Sequence, residues 1–335
     1  MENVAERDIE KAVNQFELNN SISQIKDLSG HNNSIFKVKL EDKTIICKFC
    51  TGENGIQDCR KEVNMHQLLK AQTKIKTPEI IYSNCSTDEI EHPFFITEYI
   101  EGRSLQDSFQ ELNAEKQAEV VKQAGQILGE VHSKTSFLHA GELIPEKDVI
   151  QVDGEANWTD YITEELTQAV EQAENTRFND LTNKAEETVA EISRLEESEN
   201  TLVFYDFRPD NVIAEKGRIK ALIDFERAWS GDSLWDYAYS EMSFVEPHHY
   251  YDMHEPPNAD ENELRKVFQN GYEQEKQLEN KWCRKVKLYK IGIIIKRFNS
   301  FKGWTESTEM DEEEIRLQEK LLRTNFNRLY RDTLN

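Results

Sequence analysis

The chain has 335 residues, 37% hydrophobic and 31% charged, with 64 acidic residues against 41 Lys and Arg for a formal charge of −23. That length suits one large domain or two lobes with a sizeable core, and the acidity argues against nucleic acid as a partner, because phosphates attract basic surfaces. No apolar run approaches the roughly 20 residues that a membrane helix needs, and the charged, amphipathic start is unlike a secretory leader, so a cytoplasmic protein without membrane contact is expected.

In chain order, Val4 to Leu18 sets Ile9, Val13 and Phe16 at helical spacing. Ile22–Leu28, Ile35–Leu40 and Thr44–Phe49 read as three strands of an antiparallel meander. The turn from Ser29 to Ser34 is either a plain hairpin turn or a loop whose backbone N–H groups, at Ser34 and the asparagines before it, point at phosphate. Lys48, on the third strand, is either an exposed strand residue or a cation that holds nucleotide phosphates. The next predicted helix, Asp58 to Leu69, carries Glu62 near its start, and a strand lysine paired with a glutamate on the following helix is the kinase arrangement. Ile80–Tyr82 and Phe94–Ile100 are further strands, the second broken at Glu101-Gly102. In a two-lobed kinase, adenine docks at such a strand end. Here it would use the Glu98 carbonyl and the Ile100 N–H, with Thr97 guarding the pocket.

Beyond Gly102 the character turns helical. Ala114–Ser133, Trp158–Asn175 and Lys184–Leu195 are amphipathic, and His132 closes the first as a helix-end residue. Residues 101–230 carry a net −15, most of it in the acidic helical segment 141–200. Those outer faces are either simply solvated or a wall that draws a cationic substrate. Five cysteines show no disulfide framework, and Cys47 and Cys50, three apart on a strand, point to opposite faces. His248, His249 and His254 read as loop histidines, able in principle to bind metal but joined by no cysteine or convincing carboxylate spacing. Closing helices occupy 263–334.

The stretch from Leu202 to Tyr239 carries the chemistry. Asp206 is followed five residues later by Asn211, and the β-like run Ile219–Ile223 delivers Asp224-Phe225-Glu226. Kinases use D-x-x-x-x-N followed by D-F-G. A surface turn and an ordinary hairpin are the alternative, since Pro209-Asp210-Asn211 is good turn chemistry by itself. Read chemically, Asp206 accepts the proton of a substrate hydroxyl. Asn211 and Asp224 offer the hard oxygens that Mg²⁺ prefers, and Arg208 steadies the transferring phosphoryl group. Asp232 or Asp236 could cap the helix that follows. Only eleven residues separate Asp224 from Asp236, too few for the activation segment of a protein kinase, which favours a small-molecule acceptor.

From Ile9 to Arg297 the chain resembles the aminoglycoside phosphotransferase and choline-kinase-like family, on the strength of Lys48, the Glu62 helix, the Glu98-to-Gly102 hinge, Gly129-Glu130-Val131-His132, Asp206 to Asn211, Ile223 to Glu226, and Gly231-Asp232 with Asp236. The resemblance implies an α+β, two-lobed, protein-kinase-like fold. Residues 1–100 would form a small antiparallel-sheet lobe that binds ATP or GTP, and 101–335 a larger, mostly helical catalytic lobe. It also implies Asp206 as base, Mg²⁺ on Asn211 and Asp224, and Lys48 with Glu62 anchoring the triphosphate. Family members phosphorylate aminoglycosides, other antibiotics, choline or related metabolites. The family loop usually begins His-Gly-Asp, whereas this chain has Phe204-Tyr205-Asp206. That departure keeps a second reading open: a nucleotide-binding pseudokinase with a regulatory or scaffold role.

Overall fold

The computed structural model describes residues 4–16, 21–28, 33–147, 149–250 and 255–334. The turn residues 29–32 and His254, singled out above, lie outside these. The chain forms two compact units: Met1–Arg103 with Leu143–Gln151 and Lys220–Arg227, and Ser104–Glu142 with Val152–Ile219 and Ala228–Asn335.

In the first unit, α1 (Glu6–Phe16) precedes β1 (Gln24–Asp27), β2 (Ser34–Lys39), β3 (Thr44–Phe49), α2 (Gly55–Gln72), β4 (Ile80–Asn84) and β5 (Phe94–Glu98). The strands form one antiparallel sheet in the order β1-β2-β3-β5-β4. Alternation along each strand sends successive side chains to opposite faces. Val38, Ile45, Cys47, Phe49, Phe94 and Ile96 pack on one face with Ile9, Ala12 and Val13 of α1, whose spacing of three and four puts them on one helical stripe. Phe95 packs on the other face with Cys59 and Val63 of α2. Lys48 pairs with Phe95 and Ile46 with Thr97 across the ladder, so Lys48 and Thr97 share the α2 face.

Two later segments join this unit. The Leu222 N–H donates to the Lys76 carbonyl at 2.9 Å. The Asn64 side-chain amide donates to the carbonyls of Lys147 and Val149. A single division after residue 100 therefore misplaces residues 220–227, and Asp224 with them.

The second unit contributes most of the helix. Past β5 the chain runs through β6 (Arg103–Ser104), α3 (Leu105–Ser108), α4 (Ala114–Lys134), β7 (Gly141–Glu146), β8 (Val149–Val152), α5 (Trp158–Ala173) and α6 (Thr182–Ile192). There follow β9 (Asn200–Val203), β10 (Val212–Glu215), β11 (Arg218–Leu222), β12 (Trp229–Asp232), α7 (Ser233–Phe244), α8 (Glu261–Glu273), α9 (Trp282–Ser307) and α10 (Glu312–Leu334), with most of β7, β8 and β11 falling in the first unit. The segment 141–200 is not helical throughout: it opens with the paired strands β7 and β8. There Leu143 is buried between exposed neighbours, and Lys147 turns the chain at φ +55°. Strand β12 pairs antiparallel with β9, Trp229 opposite Val203. Glycines let α4 and α8 approach closely: a Cβ on Gly125 would lie 2.1 Å from the Phe268 carbonyl oxygen. Among the described residues no helix is long and apolar enough to cross a membrane.

One expectation fails on chemistry. Cys59 of α2 and Cys85, just past β4, form a disulfide. Sequence spacing gave no sign of it, because the sheet and α2 bring the pair together only in three dimensions. Cys47 and Cys50 are buried thiols; burial pushes Cys47 up to about 12 and raises Cys50 as well.

Candidate active site

On the first unit, Lys48 is 6% exposed and Glu62 3%. Their side chains meet at 2.6 Å, and Lys48 Nζ lies 3.2 Å from Asp224 Oδ1. Lys48 is thus the buried cation rather than an exposed strand residue. Burial works against its charge, but Glu62, then Asp224 and Glu226, outweigh that and hold the ammonium above its ordinary value. Burial raises the Glu62 carboxyl to about 7, with Lys48 opposing. Asp224 takes φ +67°, a left-handed conformation uncommon outside glycine. Glu226, two residues on, accepts from the Asn33 amide at 2.8 Å. Glu62, Asp224 and Glu226 each offer an oxygen within 4.8 Å of the others. An all-carboxylate set suits a hard cation such as Mg²⁺, and sequence reasoning had not counted Glu226 in it.

Phe225 packs under α2, edge-on to His66 with ring centroids 5.0 Å apart. Burial lowers His66 to about 4, and the Lys48 charge adds to this. Ser34 is buried at the start of β2, opposite Phe49. Thr97 is buried, whereas Glu98 is exposed; the Glu98 N–H donates to the Glu79 carbonyl. Glu98 and Ile100 line a cavity of about 660 Å³ with Val63, His66 and Ile80; Lys48, Thr97 and Asp224 do not line it.

On the second unit, Asp206 sits in a net of polar contacts. Tyr239 Oη donates to Oδ1 at 3.0 Å. The Asn211 amide donates to Oδ2 at 3.2 Å and to the Asp206 carbonyl at 2.9 Å. Arg208 pairs with both Asp206 and Asp210, at 2.9 and 2.8 Å. The predicted base, cation and amide are therefore neighbours.

The loop itself is held from behind by Asp236, which is fully buried. Its two oxygens accept the backbone N–H groups of Phe204, at 2.8 Å, and Tyr205, at 3.1 Å. His132 lies against the same carboxylate at 3.4 Å and bonds Tyr272 Oη through its other nitrogen at 3.0 Å. Of the two cap candidates, Asp232 caps α7 by accepting from the Leu234 N–H. Asp236 is thereby left to the loop. Asp236 and Tyr239 stand one turn apart on α7, so one helix face serves both the loop backbone and the Asp206 carboxylate. That spacing was the available signal for Tyr239.

Tyr205 adopts φ +61°, which explains why glycine suits this position and why an aromatic here is costly. Its ring stacks near Trp229, at 5.1 Å, and Tyr239, at 6.2 Å. The ammonium of Lys296 lies 5.3 Å from the Tyr205 ring and 5.2 Å from Trp229, and pairs with Glu165 at 2.7 Å.

Known proteins resemble this chain in fold and in sequence. A curated relative, the mitochondrial altered inheritance of mitochondria protein 9 of Meyerozyma guilliermondii, is 29% identical over 138 residues, 38% of this chain. The match covers 22% of that protein, about a fifth of its length. A solved structure from Ralstonia eutropha JMP134, provisionally named an aminoglycoside phosphotransferase, superposes with a TM-score of 0.71 at 14% identity, covering 99% of this chain and 100% of that one. A thermostable mutant of aminoglycoside phosphotransferase APH(4)-Ia, in ternary complex with ADP and hygromycin B, gives 0.63 at 15% identity over 97% and 98% of the two chains. These likenesses establish the two-lobed kinase-like fold. The sequence profile of the phosphotransferase enzyme family (APH) matches residues 23–277, about three quarters of the sequence. The chain therefore belongs to the phosphotransferase enzyme family.

Proposed function

We propose that the protein transfers the γ-phosphoryl group of ATP or GTP to a hydroxyl of a small, cationic acceptor. The observation that carries this is the buried Lys48–Glu62 pair with Asp224 beside it. A sheet lysine oriented by a helix glutamate is costly to bury and is the arrangement that anchors nucleotide phosphates. Asp224, with Asn211 and Glu226 as further oxygen donors, would hold Mg²⁺, which neutralises charge on the phosphates. Asp206 accepts the acceptor's proton as the new P–O bond forms and the bond to the leaving nucleoside diphosphate breaks. Arg208 exchanges its pairing with Asp206 and Asp210 for the transferring phosphoryl oxygens.

Three features support a cationic acceptor. Residues 101–230 carry a net −15, the ring of Tyr205, next to Asp206 in the chain, stacks on Trp229, and those rings already face the protein's own Lys296 ammonium. The ADP and hygromycin B complex of APH(4)-Ia fits the same reading.

The test is a thermal shift with Mg²⁺ and ATP or GTP on the wild type and on Asp224→Ala, followed by ADP or GDP release with amine-bearing alcohols. A ligand at 100 times its dissociation constant adds about 2.7 kcal/mol, a shift of a few degrees. Stabilisation of the wild type alone, followed by acceptor-dependent release, is expected. No shift with either nucleotide would remove the reading.

A pseudokinase remains the second reading, favoured by the strained Tyr205 and by the Arg208–Asp206 pair that neutralises the base. Nucleotide binding without release across the acceptor set would select it.

A further inference from the structure

A second group of donor side chains lies on the second unit, apart from the residues assigned above. The short turn Pro247–His249, begun by proline, sets two imidazoles side by side with ring centroids 4.2 Å apart. Both aim Nε2 at one oxygen, Glu261 Oε2 in the first turn of α8, at 2.9 Å from His249 and 3.7 Å from His248. The other Glu261 oxygen is taken by Arg265 at 3.0 Å, which fixes the carboxylate so that Oε2 faces the rings. All three residues offer a ligand atom within 4.8 Å of the others.

The hydrogen bonding is incomplete without something more. His249 satisfies Oε2. His248 is left beyond hydrogen-bond distance of it, and its Nδ1 is buried with no partner among the described residues. The cation beside Glu261 is shared: Arg265 also pairs with Glu241 and Glu246, which Lys290 contacts as well.

We propose that His248, His249 and Glu261 bind a divalent transition metal of the zinc class. Two imidazoles and one carboxylate, with a position left for water, form a set that zinc takes in a four-coordinate site. Imidazole ligands select against Mg²⁺ and Ca²⁺, which prefer oxygen throughout. Arg265 acts behind the ligand, orienting Glu261. The bound ion would clamp the Pro247–His249 turn onto the start of α8.

The test uses the tag-free full chain, stripped with a chelator and titrated with Zn²⁺ against a chromophoric competitor, then with Co²⁺ followed by visible absorption. The wild type and Asp224→Ala are expected to take one equivalent of Zn²⁺ alike, and Co²⁺ to give the intense bands of a four- or five-coordinate ion. His248→Ala and His249→Ala should each weaken Zn²⁺ binding by roughly tenfold or more, with unchanged circular dichroism. Glu261→Gln should do the same; because Glu261 also pairs with Arg265, the two histidine variants keep the test decisive if that variant misfolds. No Zn²⁺ binding, binding indifferent to both histidine variants, or only the faint spectrum of hydrated six-coordinate cobalt would overturn the proposal.

Discussion

Asp206→Asn is expected to lower turnover on a confirmed acceptor by about 10²- to 10⁴-fold, the usual cost of losing a general base. The substitution suits this site because it changes little else. Asparagine keeps an oxygen for the Tyr239 hydroxyl, and the shape of the loop between Asp206 and Asn211 is set largely by the Asp206 carbonyl, which accepts from the Asn211 amide. What disappears is the carboxylate that can take a proton and balance Arg208, together with the second oxygen that accepts from the Asn211 amide. Nucleotide binding, measured by thermal shift with Mg²⁺, should survive, because Lys48, Glu62 and Asp224 belong to the first unit. Turnover equal to the wild type would sink the assignment of Asp206, whatever became of the nucleotide site.

Asp236→Ala should do more damage to the fold than Asp206→Asn and as much to activity. The Asp236 carboxylate is fully buried and accepts two backbone donors of the loop that leads into Asp206 while facing His132. Alanine leaves those N–H groups and the imidazole without their acceptor in a site that water does not reach. Removing one partner from such a buried polar arrangement costs about 3–5 kcal/mol. For a chain of this length that is roughly a 4–7 °C fall in Tm, measurable by calorimetry, with turnover falling as the loop loses its anchor. Asp236→Asn, which keeps one acceptor, should lie between. A variant with wild-type Tm would mean that water or a neighbour replaces the carboxylate, and that the loop does not depend on it.

The parts of the site that were legible in the sequence are those in which a local pattern and its chemistry coincide. Alternation in Ile35–Leu40 and Thr44–Phe49 marks strands because a sheet has a period of two, and β2 and β3 occupy almost those residues. A lysine inside such a strand, followed by a helix bearing a glutamate, was enough to suggest the pair that the fold makes at 2.6 Å. The D-x-x-x-x-N spacing likewise brought Asp206, Arg208 and Asn211 into contact.

Illegible were the contacts made across long sequence separations. Asn33 meets Glu226 across 193 residues and Phe204 meets Asp236 across 32. Neither has a periodicity to announce it. Asp236 was visible as a helix-cap candidate, but capping is a local competition that Asp232 wins, two residues ahead of Leu234. The β7–β8 hairpin was obscured by acidic residues whose charge says where solvent is, not which backbone they ride on. The departure at Tyr205 was visible as an identity and opaque as a conformation: only the backbone shows that a left-handed position there is filled by a bulky aromatic.

The Cys59–Cys85 bridge closes a loop across 26 residues, and that loop contains most of α2, Glu62 included. In the chain-entropy account, a cross-link of this span removes about 3–4 kcal/mol of disorder from the unfolded chain. Such bonds persist in oxidising surroundings and are rare where glutathione and thioredoxin keep thiols reduced. The thermal stability of the first unit should therefore depend on where the protein resides. Cys59→Ser, or treatment of the wild type with a dithiol, is expected to lower Tm to the same new value, and the two together no further. The helix that orients Lys48 would then be held by packing and by non-covalent bonds such as those of Asn64, and the reach of its glutamate would become a property of the cell's thiol chemistry as well as of the fold.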